Sequence, residues 1–154
     1  MKKLLLLFFA LTLFNCSDDE SNEDDVITQD PFIGEWILYK RLSYNGSTEN
    51  WDLDDNLDDS ILILKQIYNE DGTMVAQRWF RGVLTDQETW NWERETDPEY
   101  DLSITRGPVT YKMFADTYCS DSILKISFSP TLREFWKKPG YDASLCDEVV
   151  YENE

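Results

Sequence analysis

Residues 61–94 indicate the fold most directly and read ILILKQIYNEDGTMVAQRWFRGVLTDQETWNWER. The segment consists of three runs of apolar and β-branched residues with two turn signals between them. The first signal is Asn69-Glu70-Asp71-Gly72, in which Asp-Gly supplies the positive φ that a tight hairpin needs. The second is Gly82, and in the run that follows it Trp90 and Trp92 share one face. The segment predicts three consecutive antiparallel strands, over residues 61–68, 73–81 and 83–94.

The sequence on both sides of this segment continues the pattern of short runs and breaks. In residues 123–128, Leu124 and Ile126 face one way and Lys125 the other, as in an antiparallel sheet with one buried face. Residues 47–60 are predicted to form an acidic loop. Further strands are predicted over residues 32–44, 100–105, 109–116, 123–128 and 132–137. About eight short strands with hairpin-length connections indicate an all-β meander that forms a barrel or a sandwich.

The N-terminal thirty residues have a different character from this domain. Lys2 and Lys3 precede an eleven-residue apolar run, which is typical of a secretory signal. The run is too short to cross a bilayer core, because that needs about 20 helical residues. Cys16 follows, and the segment after it is so polar and charged that we expect a disordered acidic tether over residues 16–30.

Leu13-Phe14-Asn15-Cys16 resembles the lipobox of bacterial lipoprotein signals, and Ser17-Asp18-Asp19-Glu20 resembles the export signal of Bacteroidetes-type lipoproteins. The resemblance implies a signal peptide over residues 1–15 that is cut before Cys16, and lipid attached to that cysteine. It implies that the protein is anchored by lipid in the outer membrane and faces the cell exterior. An ordinary secretory signal followed by a chance cysteine is the alternative.

Two further cysteines, Cys119 and Cys146, remain in the domain. In an exported chain an even remainder predicts one disulfide, which would hold the C-terminal segment against an earlier turn. Two free thiols or part of a metal site are the alternatives.

The composition excludes several classes of function. The chain has 31 acidic and 14 basic residues, and such a charge repels nucleic acid. It contains no histidine, and therefore lacks the usual general base at neutral pH and the commonest zinc ligand. The acidic loop fails the calcium-loop template because Leu57 and Ile63 stand where Gly and Glu are required. We therefore expect a protein without catalytic activity, metal or cofactor.

Three motifs are similar, in their order and spacing, to the lipocalin-like domains carried by many Bacteroidetes lipoproteins. They are Gly34-Glu35-Trp36, residues 69–73, and residues 121–124 together with Phe135-Trp136-Lys137. The resemblance covers nearly all of residues 31–138 and implies that the meander closes into a lipocalin-like barrel of about eight strands, within a domain over residues 31–154. It implies that Gly34 and Trp36 belong to the first strand and that Trp36 packs across the closed end. A basic residue of a late strand often contacts that ring, and Arg133 is our candidate.

Trp51, Trp79, Trp90 and Trp92 could stack on sugars or line an apolar pocket, and the last three are our candidates for a ligand pocket. Core packing would explain them equally well. Ser60 and Ser122 stand in Asp-Ser-Ile triplets that resemble an O-glycosylation motif of exported Bacteroidetes proteins. We expect a lipid-anchored, non-catalytic envelope protein whose domain binds a small apolar ligand or another envelope component. The alternative is a protein-interaction module with a filled barrel, such as an accessory subunit of an uptake assembly or an inhibitor.

Overall fold

A computed structural model describes residues 29–47, 50–53, 61–96 and 99–147. The predicted signal peptide, Cys16 and most of the predicted tether lie outside these ranges. The described residues form nine strands: β1 Gly34–Asn45, β2 Asn50–Leu53, β3 Leu62–Tyr68, β4 Thr73–Phe80, β5 Val83–Arg94, β6 Leu102–Arg106, β7 Val109–Tyr118, β8 Ile123–Ser129 and β9 Leu132–Lys137. A single 3-10 turn, Ala143–Leu145, follows them within this part of the chain. None of the described residues forms a helix long and apolar enough to span a membrane.

Eight of the strands close into an antiparallel barrel, which confirms the predicted fold class. Each strand from β3 to β9 pairs with the next along the chain, and β1 pairs with both β3 and β9. Gly34–Ile37 of β1 pair with β3, and Ile37–Ser43 pair with β9. A bulge between Leu38 and Lys40 bends β1 between these two partners. The barrel closes at β1. The β4–β5 hairpin extends beyond it, because residues 83–90 of β5 pair with β4 and not with β6.

Residues 50–53 form the extra strand β2, whereas the sequence predicted a loop throughout residues 47–60. β2 pairs with the end of β1, from Leu42 opposite Leu53 to Asn45 opposite Asn50. Since β3 parts from β1 after Ile37, the far end of β1 has backbone groups on that edge that need partners. β2 supplies hydrogen-bond partners to this end of β1. The acidic residues 54–60 lie outside the described ranges.

The turn at Gly72 adopts the positive φ that the sequence predicted, whereas Arg81, predicted to end a strand, belongs to the turn before β5. Gly72 has φ +78°, and its N–H donates to the Asn69 carbonyl at 3.1 Å. Between β4 and β5 both Arg81 and Gly82 have positive φ, as a two-residue type I′ hairpin turn requires. The local turn chemistry therefore sets the register of the central hairpins.

The core has one part inside the barrel and one outside it. Buried apolar side chains fill the inside: Phe32, Trp36, Leu38, Tyr68, Met74, Trp92, Leu102, Ile104, Met113, Ala115, Leu124, Ile126 and Trp136. Outside, the segment after β9 contributes to a second cluster that buries Leu42, Ile123, Phe135 and Cys146. The predicted disulfide between Cys119 and Cys146 is confirmed, and its Cα atoms are 5.8 Å apart. It ties the C-terminal segment to the turn between β7 and β8.

Candidate ligand site at the open end of the barrel

Trp36, near the beginning of β1, belongs to the inner core of the barrel. Its side chain is fully buried, and its indole N–H donates to the Phe32 carbonyl at 2.7 Å. Lys138 Nζ lies 4.0 Å from the centroid of the Trp36 ring and donates to the Ile33 carbonyl at 3.0 Å. Gly34 has φ +123°, and a Cβ at this position would lie 3.0 Å from that same Nζ. The glycine therefore leaves room for the lysine that covers the tryptophan.

The basic residue over Trp36 is Lys138 and not Arg133, so the prediction of Arg133 is wrong. Lys138 directly follows β9, whereas Arg133 lies near its beginning, opposite Leu42 of β1 and Ser127 of β8. A residue that covers Trp36 must lie near Ile37, and the register places Lys137 there.

A cavity of about 290 Å³ opens elsewhere in the barrel, and we call it the barrel cup. Its lining comes mainly from β1, β3, β4, β5 and β9: Arg41, Leu64, Lys65, Gln66, Ala76, Gln77, Arg78, Asp86, Glu88, Trp90, Arg106, Glu134 and Trp136. The volume lies at the lower end of the range of pockets that bind small molecules. Size alone thus suits a compact ligand.

The deepest polar groups of the barrel cup are an ion pair and an indole. Glu134 is 6 % exposed, and its Oε1 accepts from Arg41 Nε at 2.8 Å and from Arg41 Nη2 at 2.5 Å. Trp136 is 3 % exposed, and its Nε1 is the buried side-chain polar atom that lacks a hydrogen-bond partner among the described residues. Unpaired buried donors are rare in native proteins and call for an explanation.

The surroundings of Glu134 shift its proton affinity. Burial raises the pKa of the Glu134 carboxyl, and the Arg41 charge opposes part of that rise. The Trp136 N–H also lowers this pKa, although its geometry falls short of a hydrogen bond. Beside them, the Tyr68 hydroxyl donates to Gln66 Oε1 at 2.8 Å, and burial raises the pKa of Tyr68, with a smaller contribution from Glu134.

The wall of the barrel cup combines an aromatic ring with charged groups. Trp90 Nε1 donates to Glu88 Oε2 at 2.8 Å, and Arg106 Nη2 donates to Glu88 Oε1 at 2.6 Å. The Arg106 guanidinium lies 5.3 Å from the centroid of the Trp90 ring. Arg78 and Asp86 stand opposite each other on β4 and β5. Apart from the apolar side chains of Leu64 and Ala76 and the ring of Trp90, this wall is strongly polar.

The three tryptophans predicted to line a pocket occupy three different environments. Trp90 lines the barrel cup. Trp92 belongs to the inner core, where its Nε1 donates to the Asn69 carbonyl at 3.0 Å and its ring meets Tyr68 edge to face. Trp79 lies one residue beyond Arg78, on the other face of β4, and its Nε1 donates to Gln77 Oε1. The structure therefore brings one of the three to the cavity.

The other predicted sites lie away from the barrel cup. Ser122 is half-buried in the turn after β7, and its backbone N–H donates to the Tyr118 carbonyl at 3.1 Å. Ser60 and Cys16 lie outside the described residues. Within the described ranges, no group of three His, Cys, Asp or Glu side chains could hold a metal ion.

Sequence reasoning missed most of the barrel cup, including Arg41, Gln66, Glu134 and Trp136. One usable signal was a polar residue at a core-facing position, such as Gln66 two residues before the buried Tyr68. In β9 this signal is hidden, because Phe135 packs outside the barrel and Trp136 inside it. Both faces of that strand are buried, so alternation does not reveal which side chains face inward.

Comparison of the chain with protein-family models, with curated proteins and with solved structures finds no match. The site is therefore interpreted from its own geometry.

Proposed function

We propose that this chain is a lipid-anchored protein of the bacterial envelope whose barrel binds a small molecule in the barrel cup, without catalysing a reaction. The observation that carries the binding proposal concerns Trp136, which lines the cavity and whose buried indole N–H lacks a hydrogen-bond partner among the described residues. A bound ligand with an acceptor atom would satisfy it. Leaving such a donor unpaired costs about 1–3 kcal/mol.

The envelope part of the proposal is supported by the N-terminal sequence and by the disulfide. The apolar run followed by Leu13-Phe14-Asn15-Cys16 resembles a lipoprotein signal. The Cys119–Cys146 disulfide suits an exported protein, because such bonds persist in oxidising compartments. The non-catalytic part is supported by a sequence without histidine.

A second candidate function is protein binding at a groove outside the barrel. The groove has a volume of about 630 Å³, and Tyr100, Lys112, Phe114, Lys125 and Arg133 are among its lining residues. Phe114 is 50 % exposed and stacks with Tyr100 at 5.6 Å between ring centroids. Aromatic side chains and arginine are enriched at protein interfaces, and Arg133 and the exposed Phe114 fit that pattern. The buried unpaired donor of the barrel cup favours the first candidate.

Native mass spectrometry of the protein purified from its own envelope tests the proposal. We expect a small-molecule adduct on the wild type that is lost in Ala76→Phe, because the larger side chain fills the barrel cup. Thr89→Phe is the matched control, since Thr89 is exposed on the next strand and does not line the cavity. A protein without an adduct, or an adduct that survives Ala76→Phe, would contradict ligand binding at this site.

A further inference from the structure

The charges that line the barrel cup are of both signs, with four cationic and three anionic side chains. Three guanidinium groups and three carboxylates surround the cavity: Arg41, Arg78, Arg106, Asp86, Glu88 and Glu134. Two of the guanidinium groups already form ion pairs with cup carboxylates, Arg41 with Glu134 and Arg106 with Glu88. Lys65 also lines the cavity, but its ammonium pairs with Glu35 at 2.6 Å. An ionic ligand would therefore meet charges of both signs in the cavity.

The same groups make the barrel cup a poor site for an apolar ligand. Such a ligand would displace water from charged and amide side chains and offer them no hydrogen bond in return. Burying polar groups without compensation costs several kcal/mol in total. The apolar lining consists mainly of Leu64, Ala76, Trp90 and Trp136, and one of these, Trp136, presents an unpaired donor.

The arrangement of donors and acceptors at the base of the barrel cup matches a hydroxyl group. The Trp136 N–H needs an acceptor, and the nearby Glu134 carboxylate accepts hydrogen bonds. A hydroxyl both donates and accepts, and can therefore bridge these two groups where their direct geometry fails. Arg78 and Asp86 stand opposite each other on β4 and β5 and add one donor and one acceptor side chain to the lining. Trp90 offers an apolar surface to C–H groups.

We infer that the ligand of the barrel cup is a small uncharged polyol, about the size of one sugar ring, with a hydroxyl held between Trp136 and Glu134. This inference rests on the proposed function and names its ligand class. The cavity of about 290 Å³ suits one ring and not a chain. The ligand inferred from the structure is therefore hydroxylated, whereas the sequence led us to expect an apolar ligand.

Fluorescence and NMR titration with defined probes test the ligand class. The probes are D-glucose, D-galactose and N-acetyl-D-glucosamine as neutral sugars, D-glucuronate as an anion, and dodecanoate as an apolar chain. We expect at least one neutral sugar to bind, with D-glucuronate and dodecanoate weaker. Trp136→Phe should reduce the affinity for that sugar about tenfold, since it removes the donor that the hydroxyl satisfies. Thr89→Phe, at an exposed position of β5 that does not line the cavity, should leave the affinity unchanged.

Ala76→Phe gives a second test if Trp136→Phe does not fold, and should abolish sugar binding. If dodecanoate or D-glucuronate binds best, or if no probe binds, the polyol inference is overturned. The proposed function then still stands, provided that the native protein carries an adduct which Ala76→Phe removes. Sugar binding that Trp136→Phe and Ala76→Phe both leave intact would also overturn the inference.

Discussion

Glu134 is 6 % exposed on the inside of the barrel, beside the apolar inner core, and Arg41 is its ion-pair partner. A buried ion pair is a weak source of stability, because desolvation offsets much of the attraction. The Arg41–Glu134 ion pair and the Trp136 N–H place polar groups at a cavity that aliphatic side chains would otherwise fill. Residues that cost stability in this way are often retained for function. The sequence does not reveal this pair, because Arg41 and Glu134 are 93 residues apart.

The titration of Glu134 gives a stability prediction with a definite sign. Burial raises the pKa of Glu134 in the folded state, so the folded protein takes up its proton at higher pH than the unfolded chain does. The stability that this protonation contributes is complete below the ordinary value of 4.5 and is lost as pH rises through the raised value. Glu134→Gln removes the titration. We expect the free energy of unfolding of the wild type, relative to this variant, to increase as pH falls from about 7 to 4.5.

Urea denaturation of both proteins at matched pH values measures this difference. Glu93→Gln, at an exposed position of β5, is the control for losing one negative charge. A difference between wild type and Glu134→Gln that stays constant, or that decreases as the pH falls, would show that Glu134 does not titrate as its burial implies.

Among the elements, the hairpins were predictable from the sequence, whereas the strand pairing that closes the barrel was not. The turn with Gly72 at positive φ and the Arg81-Gly82 turn are encoded within a few residues. Closure instead depends on the pairing of β1 with β9, between residues that are nearly 100 positions apart, and on the bulge between Leu38 and Lys40. β2 was missed for the same reason, because it forms where β3 leaves the edge of β1. Local patterns fix turns and strand faces, whereas long-range pairing fixes closure.

The disulfide should stabilise the segment after β9 without shaping the barrel cup. Cys119 and Cys146 are 27 residues apart, and cross-linking a loop of this length contributes about 3–4 kcal/mol on the chain-entropy account. We expect Cys119→Ala combined with Cys146→Ala to lower the free energy of unfolding by about that amount in urea. Adduct or sugar binding should persist under native conditions, because neither cysteine lines the cavity.

The reduced wild type is the control for this pair of substitutions, and it should match the double variant. A loss of less than about 1 kcal/mol would mean that Leu42, Ile123 and Phe135 hold the segment by packing alone. A variant that folds but loses its ligand would mean that the outer cluster supports the barrel cup.

For the whole molecule, the charge and the proposed anchor act together. A chain with a net charge of −17 is repelled by anionic lipid surfaces, so charge does not hold it at a membrane. Lipid on Cys16 would do so, since two or three acyl chains anchor a protein stably where one gives only marginal binding. We therefore expect Cys16→Ala, expressed in a bacterium that processes lipoproteins, to move the protein from the membrane fraction to the soluble fraction.

Detergent phase partitioning and cell fractionation measure this change, with the Cys119→Ala and Cys146→Ala double variant as the control that keeps Cys16. The control should remain in the membrane fraction even though it is less stable, because its lipid site is unchanged. Protease treatment of intact cells then tests whether the anchored wild type faces the exterior: the domain should be cleaved without lysis. Membrane association that survives Cys16→Ala would contradict the lipid anchor, and protection until lysis would contradict display on the cell surface.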